Sequence, residues 1–104
     1  MFLILLLNLL LLSPSPKLDV SPRFSSEPTI INFRVSQIVG DVVCAVLDGP
    51  TYYSSSCTQL FPDETRKGFK FRDVPAGVYQ AFAVVDGKTR SQSYEVIVTS
   101  TGPG

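Results

Sequence analysis

Two thiols, Cys44 and Cys57, stand thirteen positions apart in a chain of 104 residues that contains no His and no Trp. That gap is not the Cys-x-x-Cys spacing of a redox pair. Two thiolates without imidazole would need carboxylates to complete a zinc set, and none cluster beside them. The expectation is a structural disulfide closing a loop of about 14 residues, which stabilises by roughly 3 kcal/mol on the chain-entropy estimate. The alternative is two unpaired cysteines, one of them buried in a central strand. The lack of His also removes the commonest general base. No nucleophile stands beside a base, no glycine-rich phosphate cradle is present, and no carboxylate pair has a spacing that acid–base work demands. Sequence therefore assigns no catalytic residue, no metal ligand and no cofactor, and the expectation is a protein that is not an enzyme.

Binding chemistry has more to work with. Tyr52-Tyr53-Ser54-Ser55-Ser56 combines rigid amphipathic rings with small hydrogen-bonding groups, the composition of contact loops. Read functionally, Asp48 to Ser56 is a recognition loop in which Tyr52, Tyr53 and Ser54 meet a ligand. Read plainly, it is a surface loop with one ring tucked over the core edge. Arg66, Lys67, Lys70 and Arg72 form a local basic patch. Arg66, Lys70 and Arg72 are candidates for an acidic glycan or a carboxylate-rich protein; the plain reading is a solvated face that discourages strand aggregation.

Charge and hydropathy set the compartment. Nine Lys and Arg balance nine Asp and Glu, so no cationic excess is available for a phosphate backbone, and nucleic acid is not an expected partner. Phe2 to Leu12 is a leucine-rich run broken only by Asn8. As a helix it would cover about 16 Å, half of a hydrocarbon core near 30 Å thick. A short apolar run ending in Ser13-Pro14-Ser15-Pro16 reads as a secretory signal over 1–16, although no Lys or Arg precedes it; an uncleaved anchor is the alternative. Without that run the apolar share falls to roughly 38%, under the ~45% usual for globular chains, so the core is small. No Asn-x-Ser/Thr triplet is present. The expected product is secreted, extracellular and not membrane-bound once mature.

These residues need elements to hold them, and the hydrophobic period is two. Residues 17–28 are rich in Ser and Pro and read as a linker, 29–99 as the folded domain, and 100–104 as a flexible tail. Ile31, Phe33 and Val35 alternate with polar neighbours as in a half-buried strand. Val42 to Leu47 is apolar at every position, the pattern of a strand covered on both faces or central in its sheet. Cys57 to Phe61 and the Phe69/Phe71 segment supply two more. Val78 to Val85 and Lys88 to Val98 flank Asp86-Gly87, the dipeptide suited to a type I′ hairpin. The sum is an all-β domain, a single small antiparallel β-sandwich of six or seven strands.

The passage Phe71-Arg72-Asp73-Val74-Pro75-Ala76-Gly77-Val78-Tyr79-Gln80-Ala81-Phe82-Ala83-Val84 resembles the strand E to strand F corner of immunoglobulin-like domains. It is also similar to the corresponding passage of transthyretin-like and carboxypeptidase-regulatory-like sandwiches. The resemblance extends over about residues 71–98. It implies an immunoglobulin-like sandwich with Gly77 and Tyr79 in structural roles, the Tyr79 hydroxyl bonding to backbone a few residues upstream. Ala81 stands where the second immunoglobulin cysteine belongs. The resemblance supports the fold and supplies no function; export and loop composition give the expectation of a secreted interaction module contacting a protein or glycan through its loops, chiefly Asp48–Ser56 and then Asp86–Ser91. The alternatives are a scaffolding domain of a surface protein, or an inhibitor or effector docking a loop or an edge strand.

Overall fold

The computed structural model describes residues 15–101. The secretory signal, apart from its last two positions, and the end of the expected tail lie outside the described residues. Nine strands run in chain order: β1 (Lys17–Ser21), β2 (Phe24–Ser26), β3 (Ile30–Ser36), β4 (Val42–Asp48), β5 (Tyr53–Gln59), β6 (Lys67–Arg72), β7 (Gly77–Val85), β8 (Thr89–Arg90) and β9 (Tyr94–Thr99). They form a three-stranded sheet in the order β1-β3-β6 and a second sheet in the order β2-β9-β7-β4-β5, with β8 on β7. All pairs are antiparallel except β2 with β9, which is parallel.

The two-residue period decides which side chains meet between the sheets. Leu18, Val20, Ile31, Phe33, Val35, Phe69 and Phe71 come from one sheet, and Val43, Ala45, Leu47, Tyr79, Ala81, Ala83, Val85, Val96 and Val98 from the other. Volumes are complementary: three phenylalanines face a sheet that contributes three alanines, so the layers close without an inter-sheet bridge. Phe33 and Phe71 meet edge to face at 5.0 Å. Ile38, Leu60 and Val74 plug the ends.

Three expectations are corrected. Residues 17–28 are not a linker: they hold β1 and β2, and Leu18 and Val20 are core residues. The Ser/Pro content marks the corners at Pro22 and Pro28, where the chain passes between sheets, and leaves room for only two apolar residues in a five-residue strand. The third strand of the domain core runs over Tyr53–Gln59, not Cys57–Phe61. Its residues are small and hydroxylated, and continuous pairing with β4 makes it a strand. Finally, Lys88–Val98 is broken at Ser91, whose buried hydroxyl accepts from the Ala83 amide at 2.8 Å and donates to the Gln92 carbonyl.

Candidate functional site

Cys44 and Cys57 are joined, directly opposite one another on the outer face of β4 and β5. The bridge ties neighbouring strands of one sheet and leaves the interior apolar. Tyr52 and Tyr53 part company. Tyr52 turns inward, edge-on to Tyr79 at 6.0 Å, while Tyr53 opens β5 with its ring 62% exposed. The loop read over Asp48–Ser56 shrinks to Gly49–Tyr52, closed by a bond from the Gly49 amide to the Tyr52 carbonyl. Ser54 belongs to β5 and pairs with Leu47. Arg66, Lys70 and Arg72 lie on the other sheet or its border. The sequence candidates thus occupy two different faces.

The corner is built as the resemblance implies. The Tyr79 hydroxyl donates to the Pro75 carbonyl at 2.5 Å, and its ring lies against Gly77 and Gly49. A Cβ on Gly49 would come 2.6 Å from the Tyr79 ring, so only glycine fits beneath it. Burial pushes the Tyr79 phenol above its ordinary value, and Tyr52 and Glu27 add to the shift.

The opposite end of the sandwich carries residues that sequence reasoning passed over. Three connections meet there: 37–41 between β3 and β4, 60–66 between β5 and β6, and 86–88 between β7 and β8. Backbone bonds tie them together. The Ile38 amide donates to the Thr65 carbonyl, the Leu60 amide to the Asp41 carbonyl, and the Asp86 amide to the Val42 carbonyl. Asp86 and Gly87 both have positive φ and the Lys88 amide bonds the Val85 carbonyl, the type I′ geometry expected of Asp-Gly. That turn aims the Asp86 carboxylate back at the amides of Asp41 and Val42, at 3.1 and 2.9 Å. The Phe61–Glu64 turn closes on itself, with the Phe61 amide donating to the Glu64 carboxylate at 2.8 Å. That bond, and then Lys67 at 2.9 Å, hold the Glu64 carboxyl below its ordinary value.

Ile38 and Leu60 point into the core from these loops. Their neighbours Val39 and Phe61 point out, 69% and 73% exposed. The signal was present in the doublets Ile38-Val39 and Leu60-Phe61: next to a turn, one member of an apolar pair faces the core and the other faces water. Exposed Asp41 and Asp63 flank them. Among the described residues no group of three or more His, Cys, Asp or Glu side chains is arranged to hold a metal ion. What this end offers is two exposed apolar side chains on cross-bonded loops, with the acids Asp41 and Asp63 and the cations Arg66 and Lys88 on the same loops.

No protein-family model matches the chain, and no curated protein matches it. Solved structures do. CHIR-AB1, an immunoglobulin-like receptor, is similar over 84% of this chain and 100% of its own, with a TM-score of 0.55 and 18% identity. A superoxide reductase (neelaredoxin) from Ignicoccus hospitalis is similar over 82% of this chain and 80% of its own, with a TM-score of 0.58 and 15% identity. The chain has an immunoglobulin-like β-sandwich fold. At these identities the likeness is one of fold alone, and the two neighbours differ in function.

Proposed function

We propose that this protein is an exported interaction module that grips a protein partner with the loop end bearing Val39 and Phe61. Export is supported by the leucine-rich run and by the disulfide, which persists in an oxidising compartment. The observation that carries the reading is the display of two large apolar side chains on loops bonded to one another. Folding gains nothing from leaving them in water, and the cross-bonded loops lower the ordering cost of association. Asp41 and Asp63 next to them, with Arg66 and Lys88 on the same loops, describe the partner: a protein with an apolar hollow and a rim carrying both charges.

The test is photo-crosslinking from position 61 in extracellular fluid, compared with capture by a Val39→Ser/Phe61→Ser variant of unchanged circular dichroism. The crosslinked partner peptides are expected to be apolar with flanking charged residues, and the variant is expected to lose the same partner. Equal recovery by both proteins would remove the loop end from consideration.

One further observation favours the effector alternative. Strand β5 is a seven-residue edge without charge, in unbroken register with β4. Cys44 and Cys57 face each other at a Cα separation of 4.0 Å, the close spacing of a non-hydrogen-bonded pair. Backbone groups of Tyr53, Ser55 and Gln59 therefore point to the open side, ready for strand addition. Ser55→Pro removes an outward N–H and leaves the β4 ladder intact. Loss of partner binding in that variant, with Val39→Ser/Phe61→Ser unaffected, would select the edge over the loops.

A further inference from the structure

We propose that the outer face of the three-stranded sheet binds a linear acidic polysaccharide. Register places its side chains. Lys17 lies beside Ser36, Asp19 beside Arg34 and Ser21 beside Asn32 in the β1–β3 pairing. Ile30 lies beside Arg72, Asn32 beside Lys70 and Arg34 beside Gly68 in the β3–β6 pairing. The cations Lys17, Arg34, Lys70 and Arg72 consequently descend the face as an oblique row. With strands ~4.8 Å apart and ~3.4 Å per residue, successive charges are about 7–8 Å apart and the row spans roughly 23 Å. That is a track for an extended chain of regularly spaced anions, too long for one small anion.

The state of these cations separates them from the rest of the surface. Arg23 stacks on Tyr94, Arg90 on Phe82, and Lys67 pairs with Glu64. Among the described residues Lys17, Arg34, Arg66, Lys70, Arg72 and Lys88 have no such partner, and all but Lys88 lie on this face or its border. The one acid among them is Asp19. A molecule with no net charge has therefore gathered its uncommitted positive charge on one sheet.

The face also has a floor. Gly68 puts no side chain between Arg34 and Lys70, and a Cβ there would meet only the Phe33 carbonyl, at 3.8 Å. Two shallow depressions, of about 730 and 580 Å³, share Arg34 and Gly68 as lining. Ser21 and Asn32 supply uncharged hydrogen-bonding groups in the second. Saccharide hydroxyls and ring oxygens are met by such groups, and their anions by the cation row. Phe33 and Phe69 border the second depression, but the rings of this sheet, with that of Phe71, are buried in the core and do not stand up to stack a nucleobase. The choice of an extracellular polymer over nucleic acid rests on the export proposed above; the charge geometry does not.

The purified protein is tested by calorimetry at low salt against dextran sulfate, a polyuronate, uncharged dextran and oligo-dT. Dextran sulfate or polyuronate is expected to bind, with an affinity that falls steeply with salt. Arg34→Ala/Lys70→Ala/Arg72→Ala is expected to weaken it at least tenfold and flatten the salt dependence. Gly68→Glu, which has room and ordinary backbone, is expected to weaken it without disturbing the fold. Lys88→Ala and Val39→Ser/Phe61→Ser are expected to bind as the parent does, so failure here is distinguishable from failure at the loop end. Binding of neither acidic polymer, parental affinity in the triple variant, an equal loss with Lys88→Ala, or tighter binding of oligo-dT would each overturn the proposal.

Discussion

Tyr79 joins more of the corner than any other single side chain. Its ring fills the space left by Gly49 and Gly77, Tyr52 packs on its edge, and its hydroxyl satisfies the Pro75 carbonyl. Tyr79→Phe keeps the ring and removes the bond, and is expected to cost about 1–2 kcal/mol in denaturant midpoint because the carbonyl is left without a partner. The phenol also makes stability depend on pH. Its folded value is raised above 10.0, chiefly by burial, so below 10.0 both states keep the proton and the contribution is complete. As pH rises through the window between that value and the raised one, the unfolded chain ionises first and stability falls. With four tyrosines and no tryptophan, phenolate absorbance reads this directly. Tyr79 is expected to ionise last, together with loss of near-UV dichroism, and Tyr79→Phe is expected to flatten that alkaline decline.

At the scale of elements, the loop end depends on Asp86 and strand β5 on its bridge. Asp86→Ala removes the acceptor for two backbone amides and puts a Cβ without a compensating carboxylate at positive φ. The expected loss is about 1–2 kcal/mol, less for Asp86→Asn, which retains an acceptor and the residue type that tolerates this backbone. Cys44→Ser/Cys57→Ser is expected to lose roughly 3 kcal/mol. Exchange of the Ser54, Ser56 and Thr58 amides, which face β4, would then quicken ahead of the rest, since besides its ladder to β4 this edge has the bridge and no buried side chain of its own. These two elements also mark where sequence stopped being informative. The strands β3 and β6 were legible because Ile31, Phe33, Phe69 and Phe71 carry the alternation themselves, β4 because Val42 to Leu47 is apolar throughout, as suits a strand central in its sheet, and β7 because Val78 to Val85 runs up to the Asp86-Gly87 turn. In β5 the hydroxylated residues carry almost none, and the strand exists because β4 lies beside it. In β1 the alternation is real but only Leu18 and Val20 long. The candidate surfaces were legible in part: Arg66, Lys70 and Arg72 were visible as a patch, whereas Lys17 and Arg34 joined them only through pairing across β1 and β3. Val39 and Phe61 were hidden because exposure of an apolar residue is decided by its buried neighbour.

For the whole molecule, the question is where the cooperative unit begins. A domain limited to 29–99 would keep five strands of the large sheet but lose β1 from the small one and β2 from the edge of the large one. Burial of Leu18 and Val20 contributes about 2 kcal/mol each by area, and β1 also covers one side of β3, whose Phe33 and Val35 are fully buried. Total stability for a chain of this size is on the order of 5–10 kcal/mol, so losing both side chains and the β1 ladder removes a large share of it. A polypeptide spanning 15–101 is therefore expected to unfold cooperatively in urea, and one spanning 29–101 to lack a pre-transition baseline at 25 °C even with the disulfide intact. A sharp cooperative transition in the shorter chain would mean that β1 and β2 only decorate the sandwich. The same comparison bears on the polysaccharide track, because Lys17 heads the cation row. If the shorter chain folds and still binds dextran sulfate with parental affinity and salt dependence, the row must begin at Arg34. If it folds and binds more weakly, β1 serves both the core and the ligand, with Leu18 and Val20 on one face and Lys17 on the other.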